Sequence, residues 1–121
     1  MKITGALSAI LLALPLTAGA QSAHLCTGIG LDGREEAAAF PHSLKLVYAA
    51  PQGSYLGDVT IRVTRSGEMI FEGTCDGPWM LLNVDPGTYE VQSTFDGTTK
   101  TQSVRVGRNT VERTIIFKTS D

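Results

Sequence analysis

CDGPWMLLNVDPGTYEV, residues 75 to 91, places a cysteine, a Gly-Pro-Trp, an apolar run and a Pro-Gly-x-Tyr within one short stretch. The question it raises is whether this is a reactive site or the centre of a small β-domain. Trp79 follows the rigid Gly77-Pro78 pair and opens the most apolar segment of the mature chain, Trp79 to Val84. That pattern predicts a strand, with the indole covering core or a sheet edge and its N–H requiring one partner. Asp85-Pro86-Gly87 predicts a tight turn in which Pro86 presets φ and Gly87 takes the positive φ that follows. Tyr89 then begins the next strand, where a phenol buries its ring and returns its hydroxyl to the backbone, as tyrosine corners do in sandwiches. Every feature of the stretch has a structural role, so the β-domain is the preferred reading.

The same alternation extends on both sides. Val59, Ile61 and Val63 alternate with Thr60, Arg62 and Thr64, and Tyr89, Val91 and Phe95 oppose Glu90, Gln92 and Thr94 in parity. Each is the pattern of a half-buried strand. Leu44 to Ala50, Glu68 to Thr74, Thr98 to Val106 and Val111 to Lys118 are further strand candidates. Turn signals separate them at Pro51-Gln52-Gly53, Ser66-Gly67, Asp76-Gly77-Pro78, Asp85-Pro86-Gly87, Asp96-Gly97 and Gly107-Arg108-Asn109. Asp96-Gly97 is the clearest hairpin, because a type I′ turn needs positive φ at both central positions. About seven short strands with turns every 8 to 12 residues predict a single all-β, antiparallel β-sandwich. One segment is helical in composition: Gly33 to Phe40, with Arg34-Glu35-Glu36-Ala37-Ala38-Ala39, stopped by Pro41. Two turns of helix are marginal in water, so this is expected as a turn or short helix capping one end of the sandwich.

The start of the chain bears on compartment. Lys2 supplies a short positive region, Ile3 to Leu16 is largely apolar, and Ala18-Gly19-Ala20 fits small-x-small cleavage, the pattern of a secretory signal peptide. The segment is too short for a membrane anchor, which takes roughly 20 apolar residues. A lipoprotein reading would modify Cys26, but Ala23-His24-Leu25 lacks the small residue expected beside a lipidated cysteine. The expected organisation is therefore a leader over 1–20, an N-terminal extension over 21–43 and the sandwich over 44–121, with the mature protein in the periplasm. Removing 20 of the 121 residues leaves 101, enough for one modest core. Loss of Lys2 takes the net charge from −2 to −3, which argues against nucleic acid or an anionic membrane as partner.

Cys26 and Cys75 both lie beyond the leader. An even pair in a small exported domain reads as one disulfide, contributing roughly 2–4 kcal/mol. Two unbonded thiols, or a metal pair completed by His24 and His42, remain the alternatives, and the spacing gives little zinc signal.

A family resemblance is carried by Gly67 to Ile70, by Thr74-Cys75-Asp76-Gly77-Pro78-Trp79 and by Val84-Asp85-Pro86-Gly87-Thr88-Tyr89-Glu90-Val91. These resemble the carboxypeptidase regulatory-like domain, whose hallmark is a turn, a strand and L-P-P-G-x-Y-x-V; here Asp85 replaces the first proline. Gly28-Ile29-Gly30, the Arg34-Glu35-Glu36 stretch, Ser43 to Ala49, Gly53-x-Tyr55-Leu56-x-Asp58-Val59 and Gly77-Pro78-Trp79 look like small exported proteobacterial proteins that carry this domain alone. The resemblance implies a transthyretin-like (prealbumin-like) sandwich that serves as a structural or interaction module.

Catalysis by a nucleophile needs Ser or Cys near a histidine and a carboxylate. His24 and His42 are the available imidazoles, and neither lies in a Gly-x-Ser-x-Gly elbow. The transthyretin-like hydroxyisourate hydrolases share the implied architecture, but their Tyr-Arg-Gly-Ser-like C-terminus is replaced by Phe117-Lys118-Thr119-Ser120-Asp121. Asp58, Asp76 and Asp85 invite a calcium reading, but calcium wants six or more oxygens, usually from a dense acidic loop. Capping of turns is the simpler role. The expectation is a non-enzymatic module without catalytic residues, metal or cofactor. It would be a monomer or weak oligomer, binding an envelope protein or glycan through loops 48–58 and 76–79. Tyr55, Asp58 and Trp79 are its candidate contacts, aromatics being natural anchors. A small transthyretin-like hydrolase is the alternative, and it would require a cleft joining a histidine to a carboxylate. Strand Thr98 to Arg105, with Lys100 and Arg105, either blunts a sheet edge or accepts a partner's strand.

Overall fold

A computed structural model describes residues 22–119. The leader expected over 1–20, and the last two residues, lie outside this range. The chain folds as β1 (His24–Thr27), α1 (Gly30–Ala39), β2 (Leu44–Ala49), β3 (Val59–Arg65), β4 (Glu68–Cys75), β5 (Trp79–Leu82), β6 (Gly87–Phe95), β7 (Thr98–Val106) and β8 (Val111–Ile116). Two four-stranded sheets result. Sheet I has the order β1-β5-β2-β8 and sheet II the order β4-β3-β6-β7. The protein is an all-β sandwich with one short helix, as the alternation predicts. Two differences from the expectation are that it has eight strands and that β8 runs parallel to β2, with Leu44 opposite Val111 and Ala49 opposite Ile116.

Alternation decides what each sheet buries. On sheet II, Val59, Ile61, Val63, Val91 and Val104 point inward while Thr60, Arg62, Glu90 and Arg105 face solvent. Sheet I answers with Leu44, Leu46, Tyr48, Met80, Leu82 and Ile115. Each such side chain contributes about 1.5–3 kcal/mol by leaving water. The Tyr48 hydroxyl lies 2.7 Å from Ser93 Oγ, joining the two sheets through the core. Turn chemistry sets the register. Asp96 and Gly97 both take positive φ, 51° and 80°, as a type I′ hairpin requires, and Ser66-Gly67 does the same at 50° and 81°. A bulge after Val63 leaves Val63 opposite Phe71 and Thr64 opposite Met69, so one residue of β4 is unpaired.

The sandwich is fastened along both pairs of sheet edges. On one side β1 of sheet I is joined to β4 of sheet II by the Cys26–Cys75 disulfide, with Cα atoms 5.4 Å apart. The His24 ring packs on Phe71 at 4.6 Å beside it. On the other side Lys100 of β7 donates to the Ile116 carbonyl of β8, and the Phe95 and Phe117 rings meet at 5.8 Å. Both sulfurs are therefore engaged, which removes the unbonded-thiol and metal-pair alternatives.

The expected turn at Asp85-Pro86-Gly87 needs one correction. Gly87 is not in the positive-φ region; it opens β6, and a Cβ there would stand 2.7 Å from the Arg65 guanidinium. Close approach, rather than backbone handedness, is what calls for glycine. Tyr89 behaves as predicted, burying its ring and donating its hydroxyl to the Asp85 carbonyl at 2.5 Å.

Candidate functional site

The segment before Leu44 builds one wall of the site. After β1 the chain turns through Gly28 and Gly30, both at positive φ (108° and 71°), and enters α1. The Thr27 hydroxyl anchors the helix, lying 2.9 Å from Glu36 Oε1 and 3.0 Å from the Gly33 carbonyl. Gly33 is itself pressed against Gly28 and Thr27, which fixes α1 close to β1. Trp79, Leu81 and Val47 have the opposite parity to the core residues of sheet I and face the side on which α1 lies. Leu81 is fully buried there, and Ala37 on the helix is buried. Thus α1 covers part of a sheet face instead of capping an end of the sandwich.

The second wall is the loop between β2 and β3. It doubles back so that Tyr55 bridges Ala49 beyond the end of β5, and the Leu56 N–H donates to the Tyr48 carbonyl at 3.0 Å. Ala49 also pairs with Ile116, so Tyr55, Ala49 and Ile116 form one row on the outer face of sheet I. The third wall is the loop before β5. Gly57 lies so near it that a Cβ would sit 2.5 Å from the Asp76 carbonyl, while a Cβ on Gly77 would sit 2.6 Å from the Thr27 carbonyl. Glycine at both positions lets the three walls meet.

Between them is an open hollow of about 270 Å³, lined by Gly28, Ile29, Gly30 and Arg34 on the first wall, Tyr55, Leu56 and Gly57 on the second, and Asp76 and Pro78 on the third. An adjoining hollow of about 350 Å³ shares Ile29 and Asp76 and continues along Cys26, Thr27, Asp32, Gly33, Glu36 and Gly77. The rim is apolar and exposed, Tyr55 at 51% and Ile29 at 69%.

The three candidate contact residues end in different places. Tyr55 lines the hollow. Trp79 lies behind the lining, its indole directly beneath Gly28, whose Cβ would meet the ring carbon Cγ at 2.7 Å. Lys45 Nζ lies 3.6 Å from the indole centroid and the Arg34 guanidinium 6.0 Å from it. Cation–π attraction therefore holds Trp79 as a half-buried support. Its Nε1–H is buried without a hydrogen-bond partner among the described residues. Asp58 is exposed, takes φ of 58° and does not line the hollow. Among the described residues the side chains of Asp58, Asp76 and Asp85 form no hydrogen bond, so they do not cap the turns as expected; Asp58 supplies a left-handed backbone position instead.

Ile29, Gly30 and Arg34 were not among the sequence candidates. The signal present in the sequence was Gly28-Ile29-Gly30, two glycines flanking an exposed apolar residue.

The histidines stand elsewhere. His24 begins β1 opposite Leu82, at the far end of that strand from the hollow, with Nδ1 3.2 Å from the Ser22 carbonyl. His42 precedes β2, with Nδ1 2.6 Å from the Phe40 carbonyl. Neither is hydrogen-bonded to a carboxylate among the described residues. Those residues contain no group of three or more His, Cys, Asp or Glu arranged to hold a metal ion. None of their helices is long and apolar enough to cross a membrane. The hollow presents aliphatic and aromatic surface beside one guanidinium and a carboxylate. No protein-family model matches the chain, and neither does any curated protein.

Proposed function

We propose that the protein is a non-enzymatic interaction module of the carboxypeptidase regulatory-like type, exported to the periplasm, which binds a partner of the cell envelope through the hollow beside α1. The observation that carries the proposal is the convergence of three chain segments, distant in sequence, on a single concavity with an exposed apolar rim. Concave apolar sites with a few polar groups are where proteins bind ligands. The separation of both histidines from this concavity favours binding over hydrolysis. The family reading is supported by the eight-stranded sandwich and by the Tyr89 hydroxyl returning to Asp85. Export is supported by the Cys26–Cys75 disulfide, since such bonds persist in oxidising spaces.

A photo-crosslinking amino acid substituted at Tyr55, and separately at Thr101 on the exposed face of sheet II, tests the proposal in intact cells. A discrete adduct from position 55, with none from position 101, is the expected result. Equal labelling at both positions, or recovery of the protein from the cytosol instead of the osmotic-shock fraction, would refute it.

A further inference from the structure

Building on that reading, we infer that the two adjoining hollows bind a short basic segment of a partner protein. An apolar or aromatic side chain of the segment lies against Ile29 and Tyr55, and a neighbouring lysine or arginine faces Asp32, Glu36 and Asp76. Five large hydrophobic side chains are exposed among the described residues; two of them line the first hollow, and two more lie near it in the chain or in the sheet. Ile29 and Tyr55 line the first hollow, Leu31 follows in the first turn of α1, and Ile116 shares the outer-face row with Tyr55. Monomer surfaces seldom concentrate apolar groups in this way unless something covers them.

Charge identifies the occupant. The second hollow has three carboxylates in its lining and no cation. Across both hollows Arg34 is the single positive group, and it is drawn toward the Trp79 indole. The combined lining charge is therefore −2. Asp32 and Asp76 have no hydrogen-bond or ion-pair partner among the described residues, whereas Arg62 and Glu72 on sheet II are paired at 3.1 Å. Like charges along a cleft focus their field and attract the opposite sign. A neutral glycan would donate hydroxyl hydrogen bonds to these carboxylates but gain nothing from their net charge, and an anionic one would be repelled. Because Asp76 borders both hollows, the apolar and cationic groups must be close neighbours on the ligand.

The test is titration of the purified ¹⁵N-labelled protein with three probes: the peptide Ac-Lys-Phe-Lys-Leu-Lys-NH2, its counterpart with glutamate in place of lysine, and an N-acetylglucosamine tetramer. The lysine peptide should shift the amides of Gly30, Tyr55, Gly57 and Asp76. Its affinity should fall as salt shortens the Debye length from about 30 Å at 0.01 M to about 3 Å at 1 M. Asp76→Asn and Glu36→Gln should each weaken it about two- to fivefold, the scale of exposed charge pairs. Tyr55→Ala should weaken it further, and Glu90→Gln on sheet II should leave it unchanged. Unchanged thermal midpoints in these variants exclude misfolding as the cause. Failure of the lysine peptide to bind, equal binding of the glutamate peptide, or preferential binding of the sugar at the same amides overturns the inference. The module reading has its own readout: an adduct at position 55 without charge discrimination leaves that reading standing and removes only this one.

Discussion

Tyr48 and Ser93 meet as hydroxyls 2.7 Å apart in an otherwise apolar interior. Removing one leaves the other buried without a partner, at about 1–3 kcal/mol, whereas removing both is nearly neutral. Tyr48→Phe and Ser93→Ala should each lower the denaturant midpoint, and the double variant should recover much of the loss. A strongly non-additive double-mutant cycle is the signature. Burial is also the larger influence on the Tyr48 proton, holding its pKa well above the usual phenol value, with the Ser93 hydrogen bond acting in the opposite direction. The folded protein then retains a proton that the unfolded chain releases. The corresponding stability is complete below about pH 10 and declines above it, by up to about 1.4 kcal/mol per pH unit for one proton. Unfolding titrations on either side of pH 10 should show a steeper alkaline loss in wild type than in Tyr48→Phe. At this scale much was legible: the path of the Tyr89 hydroxyl and the burial of alternate valines follow from residue type and parity. The conformation of Gly87 was not, because the guanidinium crowding it comes from Arg65, on another strand.

Elements were readable in proportion to how local their causes are. β7, at Thr98–Val106, has its predicted bounds, and the hairpin before it follows from Asp96-Gly97. β1 is four residues long and has too few positions to show alternation; its pairing with β5 makes it a strand. α1 begins at Gly30, three residues before the expected start, because Gly30 and Gly33 disguise a first turn that contact with Thr27 stabilises. The parallel pairing of β8 with β2 joins segments separated by most of the chain, which no local pattern encodes. The hollow inherits that opacity, since its walls come from three loops brought together by packing. Its dependence on close backbone approach is testable. Gly57→Ala would force a methyl to within 2.5 Å of the Asp76 carbonyl unless the loops part. A destabilisation of about 1–3 kcal/mol, typical of overpacking, is expected. The amide shifts should be confined to 28–34, 55–58 and 76–79, as a heteronuclear NMR spectrum would reveal.

At the scale of the whole molecule, edge-to-edge fastening is the main feature. The Cys26–Cys75 link closes a loop with a sequence separation of 49, for which chain entropy gives about 4 kcal/mol and measured cases roughly 2–4. Reduction should therefore shift the urea midpoint markedly downward, while the contacts of Lys100 and Phe117 on the opposite side persist. Urea titrations with and without reductant measure the difference. Sequence established that a bond between these cysteines was reasonable, and folding alone shows that it spans the two sheets.

The staple also lies two residues before Gly28, where the first wall of the hollow begins. A newly made chain with free sulfhydryls would hang that wall from a four-residue edge strand held by its backbone ladder and the His24–Phe71 contact. If the protein is exported and binds as proposed, oxidation after translocation would postpone its competence until arrival, sparing the reduced chain from premature engagement.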